Sequence, residues 1–189
     1  MTVLRIFLFC GLIIHKMIWE IWKRKYPSAV VKKVPASPAK RILKLAKVGF
    51  LLFLGIQALF LNIFPIEDVP EFVKYLGISL FIVGSGMSIL ARVHLGKNWA
   101  DVEDQQVLPG QALVVSGIYR YLRHPIYIGD VLLVIGFELA LQSWLFLIGF
   151  VIAMVVYLQA IREEKLLLQA FPDYRDYCAR TKRFLPFLF

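Results

Sequence analysis

Two apolar runs, Pro125 to Leu141 and Trp144 to Ile161, are separated only by Gln142 and Ser143. Each run approaches the ~20 residues that a helix needs to cross a ~30 Å hydrocarbon layer. A connection of two residues leaves room for nothing except a tight helical hairpin. The two open ends of that hairpin must return to one level. The string Arg123-His124-Pro125-Ile126-Tyr127 is therefore set beside Arg162-Glu163-Glu164, and ionisable groups gather at one face of a membrane.

The rest of the chain agrees with a membrane setting. Hydrophobic residues make up 59% of the 189 positions, against ~45–50% in ordinary soluble domains. The sequence predicts an all-α integral membrane protein, a single membrane domain over residues 1–189. A net charge of +9 raises the question of nucleic acid. Its Lys and Arg lie beside apolar runs and form no separable soluble module, so the basic balance reads as a topology signal and no nucleic-acid partner is expected. Cys10 in an apolar run and Cys178 in a polar tail make neither a disulfide framework nor a metal spacing.

Taken in order, residues 3–22 are apolar apart from Arg5, His15, Lys16 and Glu20. They read either as a first span or as an amphipathic helix lying on the surface. His15-Lys16-Met17 occupies the place of a small-residue cleavage site, which favours an uncleaved anchor. From Lys23 to Lys47 come nine Lys or Arg and no acid, interrupted by Pro27, Pro35 and Pro38; this is expected to be a cytoplasmic loop. Val48–Phe64 is the next span, and Glu67, Asp68 and Glu71 follow on the far side. Tyr75–Ala91 is the third, where Gly84-Ser85-Gly86 and Ser88 favour close helix packing over a ligand site. Residues 92–124 return to the cytoplasmic side, and the hairpin supplies the last two spans. Phe171-Pro172-Asp173 marks a turn before a basic, amphipathic tail. The expectation is about five transmembrane helices, with the N-terminus outside and the C-terminus in the cytoplasm.

Several residues near the hairpin mouth can carry chemistry. Pro125 suits the first position of a helix, since its missing amide hydrogen would be unpaired there anyway. The amides after it would face an anion together with the positive end of the helix dipole. Arg123 adds a fork of donors and His124 a titratable ring, although both also serve as simple boundary markers. Tyr119, Tyr121 and Tyr127 read first as an aromatic belt, which is common at an interface, and second as faces for a cation or an adenine. Glu163 and Glu164 end a helix where cations are preferred, so something positive should compensate them. Arg162 and Lys165 do so as neighbours, and a ligand ammonium is the sharper alternative. Asp130 lies near the favourable end of the helix and Glu138 is expected to snorkel outward; neither is assigned to the site.

The string from Leu113 through Ser116-Gly117-Ile118-Tyr119-Arg120-Tyr121-Leu122-Arg123-His124-Pro125-Ile126-Tyr127-Ile128-Gly129 is followed by Glu163-Glu164. Phe171-Pro172-Asp173-Tyr174-Arg175-Asp176-Tyr177 and Leu185-Pro186 come after it. This order and spacing, with Leu95-Gly96-Lys97-Asn98-Trp99 upstream, resembles the isoprenylcysteine carboxyl methyltransferase family and its shorter prokaryotic members. The resemblance covers the C-terminal half.

It implies a methyltransferase using S-adenosyl-L-methionine, with its cofactor pocket in the cytoplasmic C-terminal half and a lipid-like acceptor, such as an isoprenylcysteine α-carboxylate, entering from the bilayer. By position, the cofactor contacts fall on Gln111, Ala112, Leu113, Val114, Tyr119, His124, Pro125, Ile126, Tyr127 and Glu163. Arg123, His124 and Glu164 become the catalytic candidates, and Gln159 and Arg162 the acceptor-binding ones. Gln111 stands where many members have His. Gln159 stands where members that methylate a prenylcysteine place Arg, which leaves Arg162 or Arg123 to orient a carboxylate. A carboxylate acceptor, ionised above a pKa of ~3.5, needs no general base, whereas an amine, thiol or hydroxyl would call on His124 or Glu164. A nicotinamide-dependent membrane sterol-type reductase and a non-catalytic lipid-binding membrane protein are the competing readings.

Overall fold

The structure, a computed structural model, describes residues 2–26, 38–99 and 110–184. The long elements are α1 (Thr2–Lys25), α2 (Pro38–Phe60), α3 (Glu71–Leu95), α4 (Pro125–Ala140) and α5 (Phe146–Ala170), followed by the short α6 (Tyr174–Arg180). Single turns of 3-10 helix lie at Gly96–Asn98 and Gly117–Arg120. Among the described residues there is no strand, only isolated bridges between Pro65 and Ser143 and between Leu122 and Lys182.

Among the described residues, three helices are long and apolar enough to cross a membrane: α1, α3 with its following turn, and α5. On α5 a broad apolar surface faces outward, including Phe150, Val151, Met154 and Val155. Such a surface is costly in water and suits lipid. α4 has 16 residues, about 24 Å of helix, with most of its surface covered by protein.

α4 begins at Pro125, as the sequence predicts, and the hairpin turns through Leu141–Leu145 with Gln142 at φ +54°. Elsewhere α2 stops at Phe60, short of the expected Phe64, and α5 starts at Phe146, two residues after Trp144, while the remaining boundaries of α1, α2, α3 and α5 move outward. Lys23–Lys25 belong to α1 and Pro38–Lys47 to α2, so the expected basic loop is shorter at both ends; residues 27–37, with Pro27 and Pro35, lie outside the described residues. Pro38 opens a helix where a loop was expected, because proline is tolerated in a first turn. α5 runs on to Ala170, well past Ile161, because the backbone hydrogen bonds of a helix continue through the charged residues into Leu166, Leu167 and Leu168.

α3 and α4 pack with their backbones nearly touching. A methyl group added at Gly77 or Gly84 of α3, or at Gly129 or Gly136 of α4, would run into the backbone of the opposite helix. Two glycines per helix, spaced two turns apart, thus form one interlocking seam. Gly86 meets nothing on its open side. Leu8 and Leu12 of α1, Leu54 and Ala58 of α2, Phe81 of α3, and Leu133 and Phe137 of α4 make the core beside this seam.

The end of the bundle that holds the hairpin turn is tied by polar contacts. Ile66 N–H donates to Gln142 O at 2.7 Å, Trp144 N–H to Phe64 O at 2.9 Å, and Ser143 Oγ to Ile63 O at 2.9 Å. Glu138 does not snorkel: it is 2% exposed and accepts a bond from Gln57 Nε2 at 2.8 Å. A buried amide from another helix satisfies it where water was expected to. Arg5 Nη1 donates to the carbonyls of Gln57, Ala58 and Leu61, capping the end of α2 with a cation. The opposite end, where α3 finishes and α4 starts, opens into a cavity.

Candidate active site

Two segments close the cavity end of the bundle. After α3, the turn at Gly96–Asn98 presents Asn98, whose carbonyl accepts from Gln111 Nε2 and whose Oδ1 accepts from the Ala112 amide, both at 2.8 Å. This fastens the extended stretch 111–114 along the mouth of the bundle. The chain then turns at Gly117, whose φ of +62° and closeness to the His94 ring both exclude a side chain. The turn delivers Tyr119, and then Arg123 and His124 at the head of α4.

The second segment is the tail after α6. The Arg123 amide donates to Lys182 O at 2.8 Å, the His124 amide to Arg183 O at 3.3 Å, and Lys182 N–H to Tyr121 O at 3.0 Å. Tyr177 Oη donates to Tyr119 O at 2.7 Å. Burial pushes the phenols of Tyr119 and Tyr177 well above their ordinary range, with the Glu163 carboxylate adding to the rise at Tyr119. Both remain proton donors through the neutral range.

Glu164 is the electrostatic hub. Its Oε1 accepts from Arg123 Nε at 2.9 Å and from Arg183 Nε at 3.0 Å, and lies 3.1 Å from His124 Nε2; its Oε2 accepts from Arg183 Nη2 at 2.6 Å. Arg123 Nη1 also donates to the carbonyls of Cys178 and Thr181. The cations that compensate Glu164 thus come from the start of α4 and from the tail. Arg183 escaped the sequence reading, since no local pattern links it to a helix nineteen positions earlier.

Glu163 points the other way. Its Oε2 accepts from Tyr127 Oη at 3.0 Å and stands 3.7 Å from His124 Nδ1. The rings of His124 and Tyr127 stack almost in parallel, with centroids 5.4 Å apart and planes 2° apart. His124 therefore sits between two carboxylates, clamped against a phenol.

These groups face a cavity of about 710 Å³. Gln111, Ala112, Leu113, Val114, Tyr119, Arg123, His124, Ile126, Tyr127, Gln159, Arg162 and Glu163 all line it. Pro125 is buried at the first position of α4 and does not line the cavity, and neither does Glu164, which lies behind His124. Asp130, set aside on sequence grounds, does line it, held by Ser88 Oγ at 2.7 Å. So do His15, Lys16, Trp19, Glu20 and Lys23 of α1 and Lys47 of α2. Their signal was available: the α1 residues fall on one stripe of an otherwise apolar helix.

The phospholipid methyltransferase family profile matches residues 72–173, more than half of the chain. The chain belongs to the phospholipid methyltransferase family. Within this family setting, it is 28% identical over 129 residues to a probable protein-S-isoprenylcysteine O-methyltransferase of Oryza sativa subsp. indica, covering 67% of this chain and 68% of that one. A protein-S-isoprenylcysteine O-methyltransferase of Xenopus laevis is 26% identical over 130 residues, covering 67% of this chain and 45% of its own. Among solved structures, the eukaryotic intramembrane Ras methyltransferase, an isoprenylcysteine carboxyl methyltransferase, superposes with a TM-score of 0.63 at 20% identity, over 97% of this chain and 68% of that one. The likeness extends the shared fold to α1 and α2, beyond the family match. The family profile ends at Asp173, so the tail that supplies Arg183 lies outside it.

Proposed function

We propose that the chain is a membrane methyltransferase that takes its methyl group from S-adenosylmethionine and passes it to a lipid-like acceptor, with an isoprenylcysteine α-carboxylate favoured. The observation that carries this reading is the single cavity shared by the 111–114 stretch, the His124–Tyr127 stack and Glu163. Its volume falls within the ~300–1,000 Å³ of small-molecule sites. The residues fit the donor chemically. The Glu163 carboxylate suits an ammonium, the extended backbone at 111–114 offers peptide groups to a ribose or base, and the Tyr119 and Tyr127 rings suit an adenine or a sulfonium charge.

When bound, S-adenosylmethionine supplies an electrophilic methyl on sulfur. The protein's own part is positioning and exclusion of water. Glu164 holds His124 and Arg123 in place, and with donors from three side chains on its two oxygens it serves as a positioning residue. An ionised carboxylate acceptor asks for no proton acceptor. For an amine or thiol, His124 is the group on the cavity wall that can take the proton.

We place the cavity at the cytoplasmic face, with α2 and α4 embedded alongside the three long helices to make five. Lys23, Arg24 and Lys25 of α1 and Arg41, Lys44 and Lys47 of α2 share the cavity end, while Glu67, Asp68 and Glu71 lie at the other. This is the charge bias of a cytoplasmic side.

Calorimetric titration of the purified protein with S-adenosylhomocysteine and with NADPH tests the donor. Saturable thioether binding, followed by transfer of a labelled methyl to a prenylcysteine, is the expected result. NADPH binding without the thioether overturns the reading in favour of a reductase.

A further inference from the structure

Asp130 is the sixth residue of α4. It lies beyond the first turn, within which a helix dipole favours an acid, so the dipole does not account for it. An acid set among apolar helices is costly there and marks a functional position by default. The glycine seam sets its place. Gly129 has no side chain, which lets the fully buried Ser88 of α3 come in beside α4, and the Ser88 hydroxyl donates to Asp130 Oδ1 at 2.7 Å. Asp130 itself is half-buried and lines the cavity. The field of Lys47 also reaches it. A neutral hydroxyl on one oxygen fixes the carboxylate without neutralising it.

Of the three carboxylates on the cavity wall, Glu20 stands apart. Its charge is met by Lys16 Nζ at 2.8 Å on the same face of α1, where the Trp19 and Trp99 rings meet edge to face with centroids 5.5 Å apart. Asp130 and Glu163 are alike: each accepts from a neutral hydroxyl, that of Ser88 and that of Tyr127. They also share Tyr127. Its hydroxyl is bonded to Glu163, the Asp130 charge acts on the same phenol, and Tyr127 and Asp130 stand one turn apart on α4, about 5–6 Å between Cβ atoms. Six Lys or Arg side chains line the same cavity, so a ligand cation is stable there only beside an acid. Two acids on one side of the cavity call for a ligand with two positive centres.

We infer that Asp130 is a specificity-determining residue that selects the charged, sulfonium form of the methyl donor over its neutral thioether product. The inference rests on the methyltransferase reading and adds to it the residue that tells methyl donor from product. Glu163 faces the ammonium, which both forms carry. Asp130 faces the charge on sulfur, which only the methyl donor has, and specificity is the difference between the two affinities. The basic lining would otherwise favour the neutral form. Methyl transfer breaks the S–C bond and forms the bond to the acceptor; the electron pair stays on sulfur, which becomes neutral. The attraction to Asp130 ends with that step, so the spent thioether leaves with one anchor fewer.

Calorimetric titration of the full-length protein in detergent tests this with three ligands: S-adenosylmethionine, S-adenosylhomocysteine and sinefungin, in which a protonated amine replaces the methylsulfonium. The wild type should bind S-adenosylmethionine and sinefungin each about tenfold more tightly than the thioether. In Asp130→Asn, which still accepts from Ser88 but carries no charge, that ratio should fall below about twofold, through weaker binding of the two cations. Glu163→Gln should weaken all three alike and keep the ratio, because the ammonium is common to them. Ser88→Ala, which releases the carboxylate without removing its charge, should lower the ratio part of the way and serves if Asp130→Asn fails to fold. Equal affinity for S-adenosylmethionine and the thioether in the wild type, a ratio that the Asp130 and Ser88 variants keep, or one that Glu163→Gln abolishes overturns the inference and leaves the methyl-donor reading standing. No binding of any of the three overturns the methyl-donor reading, and this inference with it.

Discussion

The guanidinium of Arg183 grips the Glu164 carboxylate with both prongs, Nε to Oε1 at 3.0 Å and Nη2 to Oε2 at 2.6 Å. The pair joins the tail to the last long helix directly behind His124. Two parallel charge-assisted bonds fix orientation as well as distance. The position of the His124 ring thus depends on a residue beyond the family's matched segment.

Replacing Glu164 by Gln leaves Arg123 and Arg183 facing a neutral amide in a largely buried setting, with an expected cost of about 3 kcal/mol. S-adenosylhomocysteine affinity should fall along with thermal stability. Arg183→Lys keeps the charge but loses the fork, so it should weaken thioether binding while changing the melting temperature less. Calorimetric titration and thermal melts of the three proteins check this. Full thioether affinity in Glu164→Gln would show that the hub does not orient the site.

Tyr127→Phe removes one hydrogen bond to Glu163 and keeps the ring stacked on His124. A loss of about 1 kcal/mol is expected, read as a several-fold weaker dissociation constant for S-adenosylhomocysteine. Glu163→Gln should lose more, because it removes the charge proposed to face the ligand's ammonium. Equal effects of the two would mean that Glu163 acts only through Tyr127.

The glycine seam makes a contrast within one helix. Gly84→Ala forces a methyl into the backbone of α4 and should destabilise the protein by about 1–3 kcal/mol. Gly86→Ala, two positions away, has open space and improves helix propensity, so it should be neutral or stabilising. Detergent melts of the two variants side by side decide the matter.

Burial pushes the Cys178 thiol above its ordinary range, with nearby Glu164 adding to the rise and Arg123 opposing it. A raised value means less thiolate at any given pH. In a Cys10→Ser background, alkylation of Cys178 should therefore stay slow at pH ~8.5, where a free thiol is about half ionised, and accelerate only in more alkaline buffer. Denaturant should return the profile to that of an ordinary cysteine.

Much of the scaffold was legible in the residues. The two-residue link at Gln142-Ser143 defined the hairpin, Pro125 marked the start of α4, and the glycines of Tyr75–Ala91 pointed to close packing. Helix ends were less legible. Hydropathy falls at Arg162-Glu163-Glu164-Lys165, but the helix continues because its backbone bonds do not depend on which side chains are charged. Partners distant in the chain were not legible at all. Glu138 looked ready to reach water, and its amide partner Gln57, eighty-one positions earlier, is brought beside it only by the tertiary fold. The α1 stripe was visible as a pattern, but which object it faced depended on where Trp99 sits.

Arg5 holds the first turn of α1 to the last carbonyls of α2. From Arg5 to Lys23 the helix is a stiff rod of about 27 Å. Held at Arg5, through Leu8 and Leu12 in the core, and again where the Trp19 ring meets Trp99, the rod is a strut: it keeps the distance between the hairpin-turn end of the bundle and the mouth of the cavity constant.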